Sequence, residues 1–165
     1  MKILPFLICF TLFLSSCDES GSGEIYNENN TNVSGGIVYN IEDEPINGLY
    51  RVYYPDGNIK MEVQSKGGKP NGAGKFYTPE GNLSFQGNFA DGHPEGAFFN
   101  YYPDGLVHNE MNYNDGVKNG PQKVYDEEGN LSAEVVFEKG VPVSGYVLIK
   151  GEKQNFTEDE LGNLK

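Results

Sequence analysis

The chain has 165 residues, about the size of one domain, and its 37% hydrophobic and 22% charged residues are typical of a globular protein. The formal net charge of -12 at pH 7 disfavours polyanionic partners, so we expect no nucleic-acid ligand and no binding to phosphorylated lipid headgroups. Glycine, tyrosine and phenylalanine are abundant (22, 11 and 10 residues) and tryptophan is absent, which favours strands and tight turns over a helical bundle.

The N-terminus has the pattern of an export signal. Met1-Lys2 is a short basic start, and the apolar run at 3–14 is too short to span a bilayer as a helix. The next residues, Leu14-Ser15-Ser16-Cys17, resemble the lipobox of bacterial lipoproteins. This resemblance implies a signal peptide over residues 1–16 and acyl chains such as palmitate on Cys17, enough to hold the protein on a membrane. An ordinary secretory signal with an incidental cysteine is the alternative.

The residues around Cys17 also bear on location and chemistry. Asp18-Glu19 resembles the surface-export signal of Bacteroidetes-type lipoproteins and equally an inner-membrane retention signal. We therefore expect the protein to lie in the cell envelope, with the outer membrane or cell surface favoured over the inner membrane.

Residues 17–35 are polar and rich in Gly, Ser and Asn, which predicts a flexible tether before a folded domain at 36–165. The only cysteines are Cys9 and Cys17, so the folded domain has no thiol for a disulfide, a metal site or catalysis.

A repeat of 24 residues fills the folded domain. Three series of glycines recur at that interval: Gly48, Gly72, Gly96 and Gly120; Gly57, Gly81, Gly105 and Gly129; Gly68, Gly92, Gly116 and Gly140. Between them a short motif returns, as in Tyr53-Tyr54-Pro55-Asp56-Gly57 and Tyr101-Tyr102-Pro103-Asp104-Gly105. Pro-Asp-Gly is typical of a type I turn followed by a left-handed residue, so each repeat predicts one β-hairpin.

The turn also predicts the pairing of the two strands. In the first hairpin we expect Tyr54 opposite Asn58, Tyr53 opposite Ile59, Arg51 opposite Met61 and Leu49 opposite Val63, which places all odd-numbered residues on one face. Because 24 is even, this parity persists through the array. The apolar residues of the second strands agree, since they are odd-numbered: Ile59, Met61, Val63, Leu83, Phe85, Phe89, Val107, Met111, Tyr113, Leu131, Ala133, Val135 and Phe137.

The expected fold is all-β, an elongated antiparallel β-meander of about five 24-residue hairpin repeats with about ten strands. At the N-terminal end, residues 37–41 look like the second strand of a preceding half repeat. At the other end, residues 145–150 predict a first strand, and residues 159–164 echo the turn at 126–131 after a small insertion at 151–155.

The Tyr-x-x-Asp/Glu-Gly turn and the Asn-Gly pair, at a period near 24, resemble the MORN-repeat-variant proteins, which include YwqK-type antitoxins of toxin–antitoxin systems. Gly72-Ala73-Gly74 matches the Gly-x-Gly opening of many MORN repeats, whereas the other repeats here keep only the first glycine. The resemblance covers residues 36–165. It implies a scaffold, a membrane-associated module or a binding surface.

The folded domain offers little for enzyme chemistry. His93 and His108 have no second histidine nearby in sequence, so we expect solvated surface residues rather than metal ligands. The turn carboxylates should lie two strands apart, about 9 to 10 Å, which is too far to share one calcium ion: Asp56, Glu80, Asp104 and Glu128. We therefore predict no catalytic residue, no metal, no cofactor and no enzymatic activity.

The even-numbered face predicts a recognition surface, because its aromatic residues alternate with Asn, Gln and Ser. The predicted partner-binding residues are Tyr50, Tyr54, Phe76, Phe98 and Tyr102. The alternative is that aromatic ladders stabilise both faces of a single-layer sheet and bind nothing.

These patterns predict a non-enzymatic, lipid-anchored protein that binds or scaffolds a protein partner through its sheet. The resemblance implies that this partner is a toxin, and because the protein is exported an immunity-like role at the envelope is the adapted form. A module that binds cell wall or polysaccharide is the alternative function. The partly apolar faces are also compatible with a homodimer, although no residue specifies one.

Overall fold

The structure is a computed structural model that describes residues 25–163, so the signal peptide and residues 17–24 of the predicted tether, Cys17 included, lie outside the described residues. It contains fourteen strands and one short helix. Their bounds are β1 (Ile25–Asn27), β2 (Thr31–Ser34), β3 (Ile37–Asn40), β4 (Gly48–Tyr53), β5 (Ile59–Lys66), β6 (Lys69–Tyr77), β7 (Leu83–Ala90), β8 (His93–Tyr101), β9 (Val107–Asn114), β10 (Val117–Lys118), β11 (Gly120–Tyr125), β12 (Leu131–Glu138), β13 (Val141–Ile149), β14 (Glu152–Asn155) and α1 (Glu158–Gly162).

Twelve of the strands form one long sheet. Its order is β1-β4-β5-β6-β7-β8-β9-β11-β12-β13-β14, with β10 also paired to β9, so from β4 onward each strand lies beside its neighbour in sequence. All pairs are antiparallel except β1 with β4, which is parallel. The predicted all-β meander is therefore confirmed, with two strands more than the expected ten. Within residues 25–163, no helix has the length and apolar character needed to cross a bilayer.

Two kinds of turn alternate along the sheet. At the Pro-Asp-Gly end the Gly57 N–H donates to the Tyr54 carbonyl (2.9 Å) and the Tyr54 N–H to the Asn58 carbonyl (2.8 Å), as the turn prediction required. The opposite end has two-residue turns in which both residues have positive φ, for example Asp91 (49°) and Gly92 (91°). Such turns match the twist of antiparallel strands, which explains the Asp-Gly and Gly-Gly pairs between repeats.

A bulge next to each Pro-Asp-Gly turn changes the predicted register. Tyr53 pairs with Ile59 as expected, but the next pair is Val52 with Met61, so Lys60 is left over. The predicted pairs Arg51–Met61 and Leu49–Val63 are therefore wrong. Arg51 lies opposite Glu62, and Leu49 opposite Gln64. The same shift recurs in the next three hairpins, where the extra residues are Ser84, His108 and Ser132.

The bulge places the even-numbered residues of the first strands on the same face as the odd-numbered residues of the second strands. One face of the sheet, here called the apolar face, thus collects the large hydrophobic side chains from both kinds of strand. One row of it runs across four strands as Val52, Met61, Phe76 and Phe85. Phe98 is 1% exposed and its ring packs against those of Phe85, Phe89 and Tyr113, with centroids 5.1 to 5.3 Å apart.

Glycines make room for the rings on the apolar face. A Cβ atom on Gly87 would overlap the ring of Phe98, and one on Gly74 would come within 2.7 Å of the ring of Phe89. Close packing of aromatic rings over glycine thus replaces the second layer that a sheet of this kind usually needs.

Both ends of the domain differ from the prediction. The predicted tether includes β1 and β2, and Tyr26 in β1 is buried, because β1 adds to the sheet edge beside β4. β3 pairs with β2 in a separate two-stranded sheet, so it is not the second strand of a preceding half repeat. At the C-terminal end the expected insertion forms β14, which pairs with β13, and the expected closing turn is α1, which begins with a capping box between Thr157 and Glu160.

Candidate functional site

Three of the five predicted partner-binding residues lie on the apolar face. Tyr50 pairs with the buried Val63, Phe76 with Phe85, and Phe98 with Met111. Phe98 has almost no exposed surface, so it is part of the core and cannot form a recognition surface with Asn58 or Ser84. The predicted even-numbered face does not exist as one surface, because the bulge divides its members between the two sides of the sheet.

The other two predicted residues connect neighbouring turns. The hydroxyl of Tyr54 donates a hydrogen bond to the carbonyl of Tyr77 (2.8 Å), and the hydroxyl of Tyr102 donates to the carbonyl of Tyr125 (2.8 Å). In both cases the acceptor lies 23 residues later, in the next repeat. These contacts give Tyr54 and Tyr102 a structural role that the sequence pattern did not reveal.

The opposite side of the sheet, here called the polar face, carries a continuous row of mostly polar residues. Each member is the cross-strand partner of the next, from β4 to β13: Arg51, Glu62, Lys75, Gln86, Phe99, Glu110, Lys123, Glu134 and Tyr146. Opposite charges form ion pairs at two places in this row. The Arg51 Nε atom is 3.2 Å from Glu62 Oε2, and the Lys123 Nζ atom is 3.7 Å from Glu110 Oε2.

A row of tyrosines lies beside this polar row. The hydroxyls of Tyr77, Tyr101 and Tyr125 each contact the residue fifteen positions earlier, namely Glu62 (2.9 Å), Gln86 and Glu110 (3.5 Å). Burial raises the pKa of Tyr77 to about 12; the hydrogen bond to Glu62 and its charge act in the same direction, and the charge of Arg51 opposes them.

The polar face has a groove across β4 to β8. It consists of two depressions of about 200 and 250 Å³ that share Ala73 and Lys75 in their walls. The remaining lining residues all come from the sheet: Leu49, Arg51, Glu62, Gln64, Gly74, Gln86, Gly87, Asn88, Ala97 and Phe99. The floor is low because Ala73, Gly74 and Ala97 have small side chains or none. We call this depression the Lys75 groove.

The turn carboxylates and histidines show no arrangement for catalysis in the described part of the chain. Asp56 and Asp104 accept hydrogen bonds from the backbone N–H groups of Asn58 and Leu106 (3.0 Å each), which is ordinary turn chemistry. The ring of His108 lies 4.6 Å from that of Tyr102. Among residues 25–163 no three His, Cys, Asp or Glu side chains are close enough together to hold a metal ion.

Three segments match the family model described as MORN repeat variant: residues 46–66, 70–91 and 118–139. The chain carries MORN-type repeats. Each match covers one hairpin: β4 with β5, nearly all of β6 with β7, and β11 with β12. The stretch between the second and third matches has the same architecture, because β8 and β9 pair around Pro103-Asp104-Gly105 with the same bulge. In the structure the array of hairpins is therefore continuous from β4 to β12, and three of these hairpins match the family model.

No curated protein matches the chain. Two crystal structures of TarM match at 14% and 16% identity, over 75% and 80% of this chain and 21% and 22% of theirs, each with a TM-score of 0.28. One of them is a mutant of the S. aureus protein in complex with fondaparinux, alpha-GlcNAc-glycerol and UDP. This chain spans about a fifth of the length of those proteins, and so low a TM-score supports no functional argument.

Proposed function

We propose that this protein is a non-enzymatic binding module that is anchored to a bacterial membrane through a lipid on Cys17 and presents the polar face of its MORN-type sheet to a protein partner. The observation that carries this proposal is the Lys75 groove, which is lined only by sheet residues and receives no side chain from β2, β3 or α1. Helix α1 packs instead on β13, at the far end of the sheet.

The chemistry of the polar face supports binding rather than catalysis. Its amide, carboxylate and ammonium groups are those of a protein–protein contact, and Phe99 adds an aromatic side chain to the groove. The MORN-type repeats are also consistent with the antitoxin or immunity-like role that the resemblance implies, in which the partner is a toxin that this protein neutralises by binding.

Lipid attachment is tested in the cell that makes the protein. We expect wild-type protein to incorporate labelled palmitate and to fractionate with the membranes of the envelope, whereas Cys17→Ser loses the label and leaves the membrane fraction. Separation of the two membranes shows whether the outer membrane or cell surface is the destination. A Cys17→Ser protein that keeps its label would refute the anchor.

Partner binding is tested by capture from a native membrane extract on immobilised protein. The informative variant is Gln64→Ser/Lys75→Ser/Asn88→Ser, because these side chains are exposed in the groove and make no internal hydrogen bond or ion pair. Support is one protein that binds near one-to-one and is lost with this folded variant. A wild-type sample that retains no protein would overturn the proposal, and retention on peptidoglycan or capsule would establish the polysaccharide alternative instead.

A further inference from the structure

Two lysines of the polar row occupy equivalent positions but have different surroundings. Lys75 in β6 and Lys123 in β11 are 48 residues apart, which is two repeats. Each lies opposite a glutamate on the preceding strand, Glu62 and Glu110 respectively. Lys123 forms an ion pair with Glu110 at 3.7 Å, whereas Lys75 forms no ion pair and no hydrogen bond with any residue of 25–163.

Lys75 is unpaired because the neighbouring carboxylate is already occupied. Glu62 Oε2 accepts from the Arg51 Nε–H at 3.2 Å, and Glu62 Oε1 accepts from the Tyr77 hydroxyl at 2.9 Å. On its other side Lys75 faces Gln86, which is neutral and bonds to Tyr101. An arginine at position 51 thus takes the carboxylate that would otherwise pair with the lysine.

The equivalent of Arg51 two repeats later is Phe99, which has no charge, and Glu110 is therefore left for Lys123. Arg51 is the only arginine of the chain. Among the three basic residues of the polar row, Arg51, Lys75 and Lys123, the substitution pattern across the repeats therefore leaves only Lys75 without an ion pair to a described residue.

The side chains around Lys75 can bind an extended polar chain. Gln64 and Asn88 lie on either side of it in the groove, both exposed and without internal hydrogen bonds. An amide side chain can donate to a backbone carbonyl and accept from a backbone N–H, which is the pair of groups that an extended peptide presents. The shallow floor at Ala73 and Gly74 lets a backbone approach closely.

We propose that the Lys75 groove is the part of the recognition surface that binds an acidic, extended peptide segment of the partner, with a Glu or Asp carboxylate on the Lys75 ammonium group. The argument is charge complementarity: of the three charged residues that line the groove, Arg51 and Glu62 pair with each other, and Lys75 has no ion pair within the described part of the chain. This inference rests on the proposed function, because it names the chemistry of the partner that the polar face binds.

The test is an NMR titration of the mature protein, residues 17–165 with its lipid, in detergent. The probe is a Gly/Ser dodecapeptide with three Glu residues, and the same peptide with Gln at those positions is the control ligand. We expect the Glu peptide to shift the signals of Gly74 and Gly87 and of the side-chain amides of Gln64 and Asn88. The Gln peptide should shift them much less, and salt should weaken the response.

The matched variants are Lys75→Gln and Lys123→Gln, which remove the same charge from equivalent strands. Lys75→Gln should weaken binding of the Glu peptide by about 1.5-fold to fivefold, the range for one exposed charge pair, while Lys123→Gln leaves it unchanged. Equal weakening in both variants would show general charge attraction and overturn the proposal.

Two further results would overturn it in different ways. Absence of any groove shift with the Glu peptide would reject the acidic-peptide site even if the extract contains a partner. Shifts with polygalacturonate but not with the peptide would show that the groove binds a carboxylated polysaccharide. Failure of the proposed function itself is distinct, because it appears as a wild-type sample that captures no protein.

Discussion

The two faces of the sheet use the same backbone pairing for opposite purposes. On the apolar face aromatic rings from adjacent strands pack against one another, and Phe98 reaches 1% exposure without a second layer above it. On the polar face the side chains form ion pairs and hydrogen bonds across strands and enclose a groove. The closely packed face and the face that we propose for partner binding are thus different sides of one layer, so substitutions on the two faces should have separable effects.

The sharpest test of this division compares two adjacent phenylalanines. Phe98→Ala on the apolar face should lower the free energy of unfolding by about 3 to 5 kcal/mol, because it removes a buried ring and leaves a cavity. Phe99→Ala on the polar face should lower it by about 1 kcal/mol, because that ring is half-exposed in the groove. Both are measured by denaturant unfolding, and equal losses would contradict the division.

A smaller loss is expected from filling the space beneath the same ring. Gly87→Ala should lower the free energy of unfolding by about 1 to 3 kcal/mol, since the added methyl group overlaps Phe98 and must displace it. Gly162→Ala in α1 is the control, because a Cβ atom there meets nothing within 4 Å. A stable Gly87→Ala protein would show that the apolar face packs more loosely than the structure indicates.

The links between repeats should contribute less again. Tyr54→Phe and Tyr102→Phe each remove one hydrogen bond to the next repeat, so each should cost about 0.5 to 1.5 kcal/mol of unfolding free energy. Tyr53→Phe is the matched control, because its hydroxyl makes no hydrogen bond in the described part of the chain. If all three variants are equally stable, the tyrosines of the turns do not connect the repeats.

The smallest expected effect is a change in how the unfolding free energy depends on pH, and it comes from Tyr77 beside the polar row. The pKa of Tyr77 is about 12 in the folded protein and 10.0 ordinarily, so the folded state holds this proton more tightly than the unfolded chain does. Its stabilising effect is complete below pH 10 and is lost as the pH rises through 12. The unfolding free energy of Tyr77→Phe should therefore fall less steeply over pH 10 to 12 than that of the wild type.

The same slope in the wild type and in Tyr77→Phe would contradict the raised pKa of Tyr77, which burial causes first and the contact with Glu62 second.

The bulge in each hairpin is the structural feature that the sequence pattern did not predict. Even-numbered residues of the first strands are apolar, as at Val52 and Phe76, while the apolar residues of the second strands are odd-numbered, as at Met61 and Phe85. A regular hairpin would place these two sets on opposite faces. The predicted even-numbered face, with its mixture of aromatic and polar residues, rested on that assumption. One extra residue per hairpin unites them on one face, and the signal for it is the polar residue at positions 60, 84, 108 and 132.

That extra residue also has a structural use. The hydroxyl of Ser84 donates to the carbonyl of Phe76 (3.0 Å), and the hydroxyl of Ser132 donates to the carbonyl of Val124 (3.0 Å). The bulge therefore satisfies backbone groups that the irregular pairing would leave open. In two of the four second strands a serine directly before an apolar residue, as in Ser84-Phe85 and Ser132-Ala133, could have indicated this arrangement.

The amino-acid sequence by itself determined the repeat length, the turns and the all-β fold, because glycine spacing, Pro-Asp-Gly turns and strand alternation are local properties of the chain. Only the tertiary structure decided which side chains share a face, that Phe98 is buried, and that Arg51 rather than Lys75 pairs with Glu62. These outcomes depend on a one-residue shift in pairing and on competition between side chains from three strands, and neither is visible in one strand alone.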